Sequence, residues 1–336
     1  MKIYPRVVLV IINYNSLKKV GQKALHFIRS IISTDYPNFD IVVVDNGSDD
    51  GSDELIEEEL RGRGRVIRAG SNLGHAGGCN LGFKMGYQGS KYVAFLDNDI
   101  VVEPRWLVKI IDILESDNNI AAAQPAILQL SRNLVDCYGG MIDRLGWIYE
   151  LWSNCPEPVD IKQPFEVFWA KSAAIVVRSD VFKIIGGFDE DFFVYYDEVD
   201  LCWRIRLLGY KVVTVPTARI YHMGRGTMGG TNFLSIYMHR KNHLTMLIRN
   251  YQLKNALTYS VILIIIYLLA IVKELVRKRK AVSYAVLMAL MWNIRNFGKT
   301  IHKRVFIQSV RKVSDKEINK QMLRIFEYKR NISCRR

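Results

Sequence analysis

Apolar runs alternate with helical patterns along the first hundred residues. The apolar runs predict strands at residues 7–12, 41–45, 65–69 and 92–97. The segments between them, such as ALHFIRSIIS and DELIEEEL, carry apolar residues at helical spacing. Strands that are joined by helical crossovers run parallel, so the sequence predicts an open α/β sheet.

Beyond residue 120 the pattern changes, and the sheet is expected to become mixed. A segment rich in Trp and Pro is followed by a strand in AAIVVRSD. A helix over residues 199–208 then precedes a strand in KVVTV, and the chain beyond residue 230 is typical of helices. The sequence therefore predicts a sheet domain that is followed by a helical region.

Polar loops follow the predicted strands. They are NYNS (13–16), DNGSDDGS (45–52), SNLGHAGGCN (71–80) and DND (97–99). Ligands of open α/β sheets bind outside the carboxyl ends of the strands. We therefore expect the four loops to meet at one rim of the sheet and to form the functional site.

Asp97 and Asp99 place two like charges one residue apart at the end of a buried strand. A hard divalent cation, Mg²⁺ or Mn²⁺, would offset their repulsion, because it takes one or two carboxylates together with phosphate oxygens. Two alternatives remain. The aspartates could cap the helix expected near Pro104, or they could belong to a haloacid-dehalogenase-like phosphatase, whose D-x-D-x-T/V pattern also fits Val101. Such a phosphatase begins its sheet at this motif, whereas three strand–helix units precede it here.

The loops DNGSDDGS and SNLGHAGGCN are expected to bind a nucleotide. Asp45 offers an acceptor for a base or a ribose, and the glycine and serine after it let the backbone approach closely. An Asx turn that caps the next helix is the alternative for this loop. The second loop lacks the spacing of dinucleotide and P-loop motifs, so we expect a tight turn and a helix start against the nucleotide. The candidate nucleotide-binding residues are Asn13, Asn15, Asp45, Gly47, Ser48, Asn72, Gly74, Asn80 and Asp97.

Five motifs in chain order resemble the inverting glycosyltransferases of family 2, which have the GT-A fold. The motifs are VLVIINYNS, VDNGSDDGS, NLGHAGGCNLGF, FLDNDIVVEP and GGFDEDFFVYYDEVDL. The resemblance extends over residues 6–222 and is strongest with the rhamnosyltransferase-like subgroup. It implies a mostly parallel, mixed sheet with helices on both faces.

The resemblance also implies roles in the donor site. Asp45 would contact the nucleobase, and Asp97 and Asp99 would hold Mg²⁺ or Mn²⁺ against the diphosphate of the donor. His222 lies where some relatives supply a further metal ligand.

The acidic run YYDEVDL is implied to contain the catalytic base. The family often has Glu-Asp at this motif, whereas this chain has Asp197 followed by Glu198. Either carboxylate is a candidate base, Glu198 matches the usual position, and Asp200 is a third candidate. The alternative is that these residues only stabilise the start of a helix through its dipole.

The positive charge of the chain lies at its C-terminal end. The net charge is +14, and residues 273–336 contain 18 Lys or Arg and 4 Asp or Glu. This basic stretch follows the apolar run LTYSVILIIIYLLAIV, a combination that indicates an anionic membrane surface and disfavours nucleic acid. The apolar run is near the lower limit of the ~20 residues that a span needs. In-plane helices, a short span and a buried soluble helix all remain open.

We expect residues 1–230 to form the catalytic domain, with the nucleotide-binding half in residues 1–100 and the acceptor and catalytic half in residues 101–230. Residues 231–336 are expected to form a basic, helical, membrane-associating region with its apolar segment at residues 255–272. The five cysteines form no CxxC pair and predict neither a disulfide framework nor a zinc site, as in a reducing cytosol.

The expected activity is metal-dependent transfer of a hexose from a UDP- or dTDP-sugar to a polyprenyl- or dolichyl-linked saccharide at the cytoplasmic face of the cell membrane. Arg225, Arg240 and Lys241 are candidates for contact with the lipid diphosphate, unless they only form a charged helix face. His75 is expected to serve packing. The remaining alternatives are a sugar-nucleotide phosphatase or nucleotidyltransferase, and a basic protein that binds membranes or RNA.

Overall fold

A computed structural model describes residues 3–158, 160–224 and 232–323 of the chain. The strands are β1 (Val7–Asn13), β2 (Phe39–Asp45), β3 (Gly64–Arg68), β4 (Tyr92–Asp97), β5 (Ile100–Val102), β6 (Ile120–Gln129), β7 (Val135–Cys137), β8 (Gly140–Ile142), β9 (Ile148–Glu150), β10 (Phe165–Glu166), β11 (Ala174–Arg178) and β12 (Lys211–His222). The helices are α1 (Ser16–Val20), α2 (Lys23–Ile32), α3 (Ser52–Leu60), α4 (Gly74–Gly86), α5 (Trp106–Ser116), α6 (Ser179–Ile184), α7 (Asp197–Leu207), α8 (Phe233–Asn250), α9 (Leu253–Val276), α10 (Lys280–Arg295), α11 (Phe297–Val310) and α12 (Asp315–Ile318).

The large sheet is mixed, as the sequence predicts. Its strand order is β10-β12-β6-β11-β4-β1-β2-β3, with β5 paired to β12 and β7 paired to β6. Strands β1 to β4 run parallel to one another, whereas β11 runs antiparallel to both β4 and β6. The predicted fold class, an α/β sheet followed by a helical region, is confirmed.

Helices cover both faces of the sheet, which is why its central strands are apolar at nearly every position. On one face of β1, Val8 and Val10 pack in a core that includes Cys79 of α4. On the other face, Leu9 and Ile11 pack in a second core with α2, α3 and α5. A strand that is buried on both faces reads as a continuous apolar run, as VVLVII does.

The register of the parallel strands brings the polar loops to one edge of the sheet. Asn13 at the end of β1 pairs with Asp45 at the end of β2, and Ile12 pairs with Asp97 at the end of β4. The loops after β1, β2 and β4 therefore start at the same level of the sheet. The predicted convergence at one rim is confirmed for these three of the four loops.

The polar loop predicted at residues 71–80 is shorter than expected, because α4 begins at Gly74. Gly74 has a φ of 71°, and a Cβ atom at this position would lie 2.5 Å from Phe193. Further along the helix, a Cβ atom at Gly82 would lie 2.2 Å from Val10 of β1. These glycines let α4 lie directly on the sheet and against the loop before α7. The glycine-rich segment is therefore a closely packed helix and not the longer loop that its composition suggests.

The C-terminal helices are attached to the sheet domain through α8, which contacts α7, α9, α10 and α11. One charged link between the two parts is Arg249 of α8, which is fully buried. Its guanidinium forms ion pairs with Asp189 and with Asp200 of α7, the latter at 3.0 Å. The helical region therefore packs against the helix that carries the candidate base.

Among the described residues, α9 is the one helix that is long and apolar enough to cross a membrane. One stripe of α9, Ala256, Ser260, Leu263 and Tyr267, is buried against the protein. The opposite stripe is apolar and exposed, and it contains Leu257, Val261, Ile265, Leu268, Leu269 and Val272. This exposure does not fit the buried soluble helix that the sequence left open, whereas it is compatible with membrane association.

The cysteines are not all free. Cys79, Cys137 and Cys202 are free and buried, whereas Cys155 is disulfide-bonded. The sequence predicts no disulfide framework, and Cys155 departs from that prediction.

Candidate active site

Asp97, Asp99 and His222 come together at the rim of the sheet. Asp97 ends β4, Asp99 follows in the turn to β5, and His222 ends β12, which pairs with β5. One potential ligand atom from each side chain lies within 4.8 Å of the others. The fold thus joins the three residues that the sequence suggests as metal ligands.

The charges of this cluster fit a divalent cation. Burial, and then the neighbouring carboxylate of Asp99, raises the pKa of Asp97, as expected for carboxylates that repel one another without a cation between them. Burial opposes a charge on His222, yet hydrogen bonds to Asp136 and Asp99 raise its pKa to about 10. A metal ion that binds here would replace the proton on the imidazole. Carboxylate-rich donor sets suit Mg²⁺ and Mn²⁺.

Asp136 and Lys171 hold the ring of His222. Its Nδ1 donates to Asp136 Oδ2 at 2.9 Å, while its Nε2 lies 3.2 Å from Asp99 Oδ1. Lys171 Nζ donates to Asp136 at 3.0 Å and to Glu150 at 3.1 Å. Although burial opposes ionisation of Asp136, His222 and Lys171 lower its pKa to about 2. A carboxylate that binds one ring nitrogen leaves the other directed at a metal, and this geometry directs Nε2 toward the two aspartates.

Asp197 and Glu198 begin α7 and have different surroundings. Asp197 is 2% exposed and accepts a hydrogen bond from His75 Nδ1 at 2.5 Å. Burial opposes ionisation of Asp197, but His75 lowers its pKa. Glu198 is half-buried, and burial, followed by the charge of Asp197, raises its pKa well above the usual value. Glu198 is therefore the more accessible of the two carboxylates and the stronger base.

His75 packs edge-on against the ring of Phe188, in line with the expected packing role, and its bond to Asp197 also makes it a functional candidate. Burial opposes its charge, yet Cys79 and Asp197 raise the pKa of His75 well above its usual value. Because burial also raises the pKa of the Cys79 thiol, Asp197 is the partner that carries negative charge at neutral pH. His75 lies in the first turn of α4, so it connects the nucleotide side of the site to the candidate bases.

Asp200 is enclosed by protein partners and does not face the rim. Its carboxylate is fully buried and accepts hydrogen bonds from Arg204 at 2.8 Å, from Arg249 at 3.0 Å and from Asn250 at 3.0 Å. This placement argues against Asp200 as the base and gives it a structural role. The sequence could not distinguish it from its neighbours, because its arginine partner at 249 lies in a distant helix.

Asp45 is the centre of a hydrogen-bond network that joins the first two polar loops. Its carboxylate accepts from the N–H groups of Gly47 at 3.1 Å and Ser48 at 3.0 Å, from the Ser48 hydroxyl at 2.5 Å and from Asn13 Nδ2 at 2.9 Å. The N–H of Asn15 also donates to the Ser48 hydroxyl at 2.9 Å. The loop thus forms an Asx-type turn, one of the two alternatives from the sequence. Asp45 is itself buried, and its role in nucleobase contact stays a prediction.

The candidates on α4 divide into two groups. Asn72 Oδ1 accepts from the N–H of Gly74 at 2.9 Å, which forms the expected tight turn. Asn80 instead donates to the Phe188 carbonyl at 2.9 Å and to Glu190 at 3.0 Å. Its amide therefore holds the loop before α7, and its position does not favour a contact with the nucleotide.

Lys19 of α1 is a further residue that the sequence analysis missed. Burial lowers its pKa, while Asp99, Asp50 and Asp97 act in the opposite direction. A half-buried lysine in the field of the metal-site aspartates is well placed to meet an anionic phosphate group. Its position in a short helix after the NYNS loop gives no pattern from which this could be foreseen. Arg225 lies outside the described residues.

The model of the family described as glycosyl transferase family 2 matches residues 8–134, a segment that contains the first four motifs and both metal-site aspartates. This segment of the chain belongs to glycosyltransferase family 2. The match, together with the three strand–helix units before the DND motif, supports a glycosyltransferase that uses a nucleotide-sugar donor and disfavours the phosphatase that the sequence left open.

Curated relatives agree with the family membership. The chain is 26% identical over 245 residues to an uncharacterized glycosyltransferase of Haemophilus influenzae, with 71% of this chain and 70% of the relative covered. It is 27% identical over 252 residues to the N-acetylglucosaminyl-diphospho-decaprenol L-rhamnosyltransferase of Mycobacterium tuberculosis, with 66% of this chain and 78% of the relative covered.

Solved structures of glycosyltransferases share the fold. The mannosyltransferase PcManGT of Pyrobaculum calidifontis was solved with GDP-Man and Mn²⁺. It matches with a TM-score of 0.53 at 16% identity, over 87% of this chain and 88% of its own. GalNAc-T7, solved with UDP, GalNAc and Mn²⁺, matches with a TM-score of 0.56 at 15% identity, over 75% of this chain and 49% of its own. At these identities the likeness supports the fold alone.

Proposed function

We propose that this family 2 enzyme is an inverting glycosyltransferase that transfers a hexose from a nucleoside-diphosphate sugar to a hydroxyl group of a lipid-linked saccharide. The observation that carries the proposal is the cluster of Asp97, Asp99 and His222 beside an accessible carboxylate of raised pKa, Glu198. His75 links the two, because it bonds the residue before Glu198 and also acts on the charge of Asp97.

The proposal assigns residues 1–100 to donor binding, residues 101–230 to the acceptor and to catalysis, and residues 231–336 to membrane association. Asp45 and the loops around it would bind the nucleoside. Asp97, Asp99 and His222 would hold Mg²⁺ or Mn²⁺. When bound, such an ion supplies positive charge that offsets the charge developing on the leaving diphosphate. The half-buried Lys19 would add a second positive charge on the same side.

Glu198 is proposed as the general base. It takes the proton of the acceptor hydroxyl while that oxygen attacks the anomeric carbon from the face opposite the diphosphate. The bond from the anomeric carbon to the diphosphate oxygen breaks with its electron pair on that oxygen, so one displacement inverts the configuration. Asp197 holds His75 and orients the start of α7, because its carboxylate is buried and already bonded.

A lipid-linked acceptor is supported by the outer surface of the helical region. The exposed apolar stripe of α9 is followed by the basic link KELVRKRK, and this combination favours attachment to an anionic membrane surface. The mycobacterial relative acts on a decaprenyl-diphosphate-linked sugar according to its name. We propose a polyprenyl- or dolichyl-linked acceptor at the cytoplasmic face of the membrane, and rhamnose from a dTDP-sugar or a hexose from a UDP-sugar as the transferred group.

The test combines ligand-dependent thermal unfolding with a matched pair of variants. Unfolding of the detergent-purified protein with UDP, dTDP or GDP is measured with and without Mn²⁺, since a ligand at about 100 times its dissociation constant adds about 2.7 kcal/mol to the free energy of unfolding. Glu198→Gln is expected to keep the metal-dependent stabilisation and to lose transfer, as assayed with a polyprenyl-diphosphate-linked saccharide. Retained transfer in Glu198→Gln together with loss in Asp197→Asn would assign the base to Asp197. Absence of stabilisation by every nucleotide with Mn²⁺ would refute the proposed donor site.

A further inference from the structure

A layer of aromatic and imidazole rings connects α7 to α8. The ring of Tyr195 stacks on His239 at 4.2 Å between centroids, and the ring of Tyr196 stacks on His243 at 5.1 Å. Tyr195 and Tyr196 directly precede Asp197 and Glu198 in the chain. The part of α8 that contains residues 239–243 is therefore fixed next to the start of the helix that carries the candidate base.

Arg240 lies on this layer without a carboxylate partner. Its guanidinium carbon is 5.1 Å from the ring centre of Trp147 and 5.2 Å from that of Tyr267. Its side chain is half-buried, and no carboxylate forms an ion pair with it in residues 3–158, 160–224 and 232–323. Arg249 of the same helix is instead paired with two carboxylates, those of Asp189 and Asp200.

An arginine that lies over two aromatic rings without a carboxylate partner is suited to bind an anion. One N–H of Arg240 donates to the Tyr267 hydroxyl, and the other N–H groups of the planar guanidinium can donate to two oxygens of one ligand. Burial of a charge without a counter-ion is unfavourable, so an anionic ligand here would supply the missing charge. The neighbouring Lys241 does not offer a second site for an anion, since its ammonium donates to the Asp191 carbonyl and the residue is largely buried.

Arg240 also lies between the candidate base and the candidate membrane surface. On one side, its helix contacts Tyr195 and Tyr196 before the base. On the other side, Arg240 contacts Tyr267, which lies on the buried stripe of α9. The opposite stripe of α9 is apolar and exposed. A lipid-linked diphosphate has the same order of parts: an apolar chain, a diphosphate and then the sugar that carries the reacting hydroxyl.

We propose that Arg240, supported by Trp147 and Tyr267, binds the diphosphate of an isoprenoid-linked acceptor, an inference that rests on the proposed glycosyl transfer to such acceptors. This subsite is distinct from the donor diphosphate site, which the Asp97, Asp99 and His222 cluster marks at the rim of the sheet. Arg240 is thus an acceptor-binding residue, and it takes no part in proton transfer.

The proposal is tested by direct binding of farnesyl diphosphate, farnesyl monophosphate and farnesol to the detergent-solubilised full chain. The measurements are made in EDTA, so that the metal-dependent donor site does not contribute. Arg240→Gln is compared with Arg240→Lys, which keeps the charge and loses the planar fork, and with Arg295→Gln. Arg295 is an exposed arginine at the end of α10, so its variant removes the same charge from the helical region.

We expect Arg240→Gln to weaken binding of farnesyl diphosphate by about tenfold or more, as for the loss of a charge-assisted hydrogen bond, and to leave farnesol unaffected. Arg240→Lys should lie between the wild type and Arg240→Gln, and Arg295→Gln should match the wild type. Equal affinity of the wild type and Arg240→Gln for farnesyl diphosphate would overturn the proposal. Equal loss in Arg295→Gln, or full competition by phosphatidylglycerol vesicles, would assign the effect to general attraction of anionic lipid and would overturn it as well.

A transfer assay separates this inference from the proposed function. With a polyprenyl-diphosphate-linked saccharide, Arg240→Gln should raise the acceptor KM about tenfold or more while the KM for the donor and metal-dependent nucleotide binding stay unchanged. If the wild type binds farnesyl diphosphate through Arg240 but transfers no sugar to such acceptors, the subsite stands and the proposed acceptor fails. If transfer proceeds and its acceptor KM is insensitive to Arg240→Gln, the acceptor stands and the subsite fails.

Discussion

Arg249→Met is expected to destabilise the whole enzyme, because Arg249 is the buried charge that joins the helical region to α7. The variant would leave Asp189 and Asp200 without one of their cations. Breaking a buried ion pair by removing one partner costs about 3–5 kcal/mol of unfolding free energy. Asp200 keeps Arg204, and Asp189 keeps Lys303, so we expect a loss near the lower end of that range, about 3 kcal/mol.

Arg68→Met is the matched control for this measurement. Arg68 also bridges two carboxylates, Asp53 and Glu57, at 2.8 Å each, but its side chain is 47% exposed. Exposed pairs contribute about 0–1 kcal/mol. Urea unfolding of the detergent-solubilised full chain, followed by tryptophan fluorescence, gives the free energy for each variant. An equal loss in the two variants would refute the reasoning that burial determines the contribution of these bridges.

Three further outcomes follow from the site and from the helical region. Asp99→Ala should abolish the stabilisation by nucleotide with Mn²⁺ and leave the unfolding of the ligand-free protein within about 1 kcal/mol; an unchanged response to Mn²⁺ would place the metal elsewhere. The transfer rate should fall as the pH drops through the raised pKa of Glu198, because the base must be ionised. Asp197→Asn should move this acid limb of the pH–rate profile to lower pH, because it removes a neighbouring negative charge. An acid limb that does not move would show that another group titrates. Changing the basic link to glutamine should weaken sedimentation with phosphatidylglycerol vesicles but not with phosphatidylcholine vesicles, and an effect on both would argue against an electrostatic contribution. The link residues are Arg277, Lys278, Arg279 and Lys280.

The sheet and the rim of the fold could be predicted because their signals are local. Each parallel strand is a short apolar run, and each ends in a polar loop, so the ends of β1, β2 and β4 were assigned together. The candidate metal-binding cluster could also be predicted, since Asp97 and Asp99 adjoin a strand end and His222 ends another strand. What made His222 a candidate was the family resemblance, because a single histidine has no pattern of its own.

The residues that sequence reasoning missed act through contacts between distant segments. His75 bonds Asp197 from 122 residues away, and Lys171 reaches Asp136 across 35 residues. Asp200 was placed among the candidate bases because it shares the acidic run, whereas its partner Arg249 removes it from the site. In each case the chemistry of the side chain is set by its partner and its burial, and neither is visible in a local pattern.

The contacts between α4 and the loop before α7 limit how such an enzyme can diversify. The N–H of His75 donates to the Phe193 carbonyl at 2.7 Å, the Phe193 ring occupies the space beside Gly74, and Asn80 holds Phe188 from both its N–H and its carbonyl. If residues 1–100 bind the donor and residues 101–230 bind the acceptor, as proposed, the two halves share this interface and cannot be exchanged as independent modules. A chimaera that takes its first hundred residues from another glycosyltransferase would need the residues equivalent to Gly74, His75 and the Phe193 loop to come from the same parent. Specificity for donor and acceptor is therefore expected to evolve in matched steps.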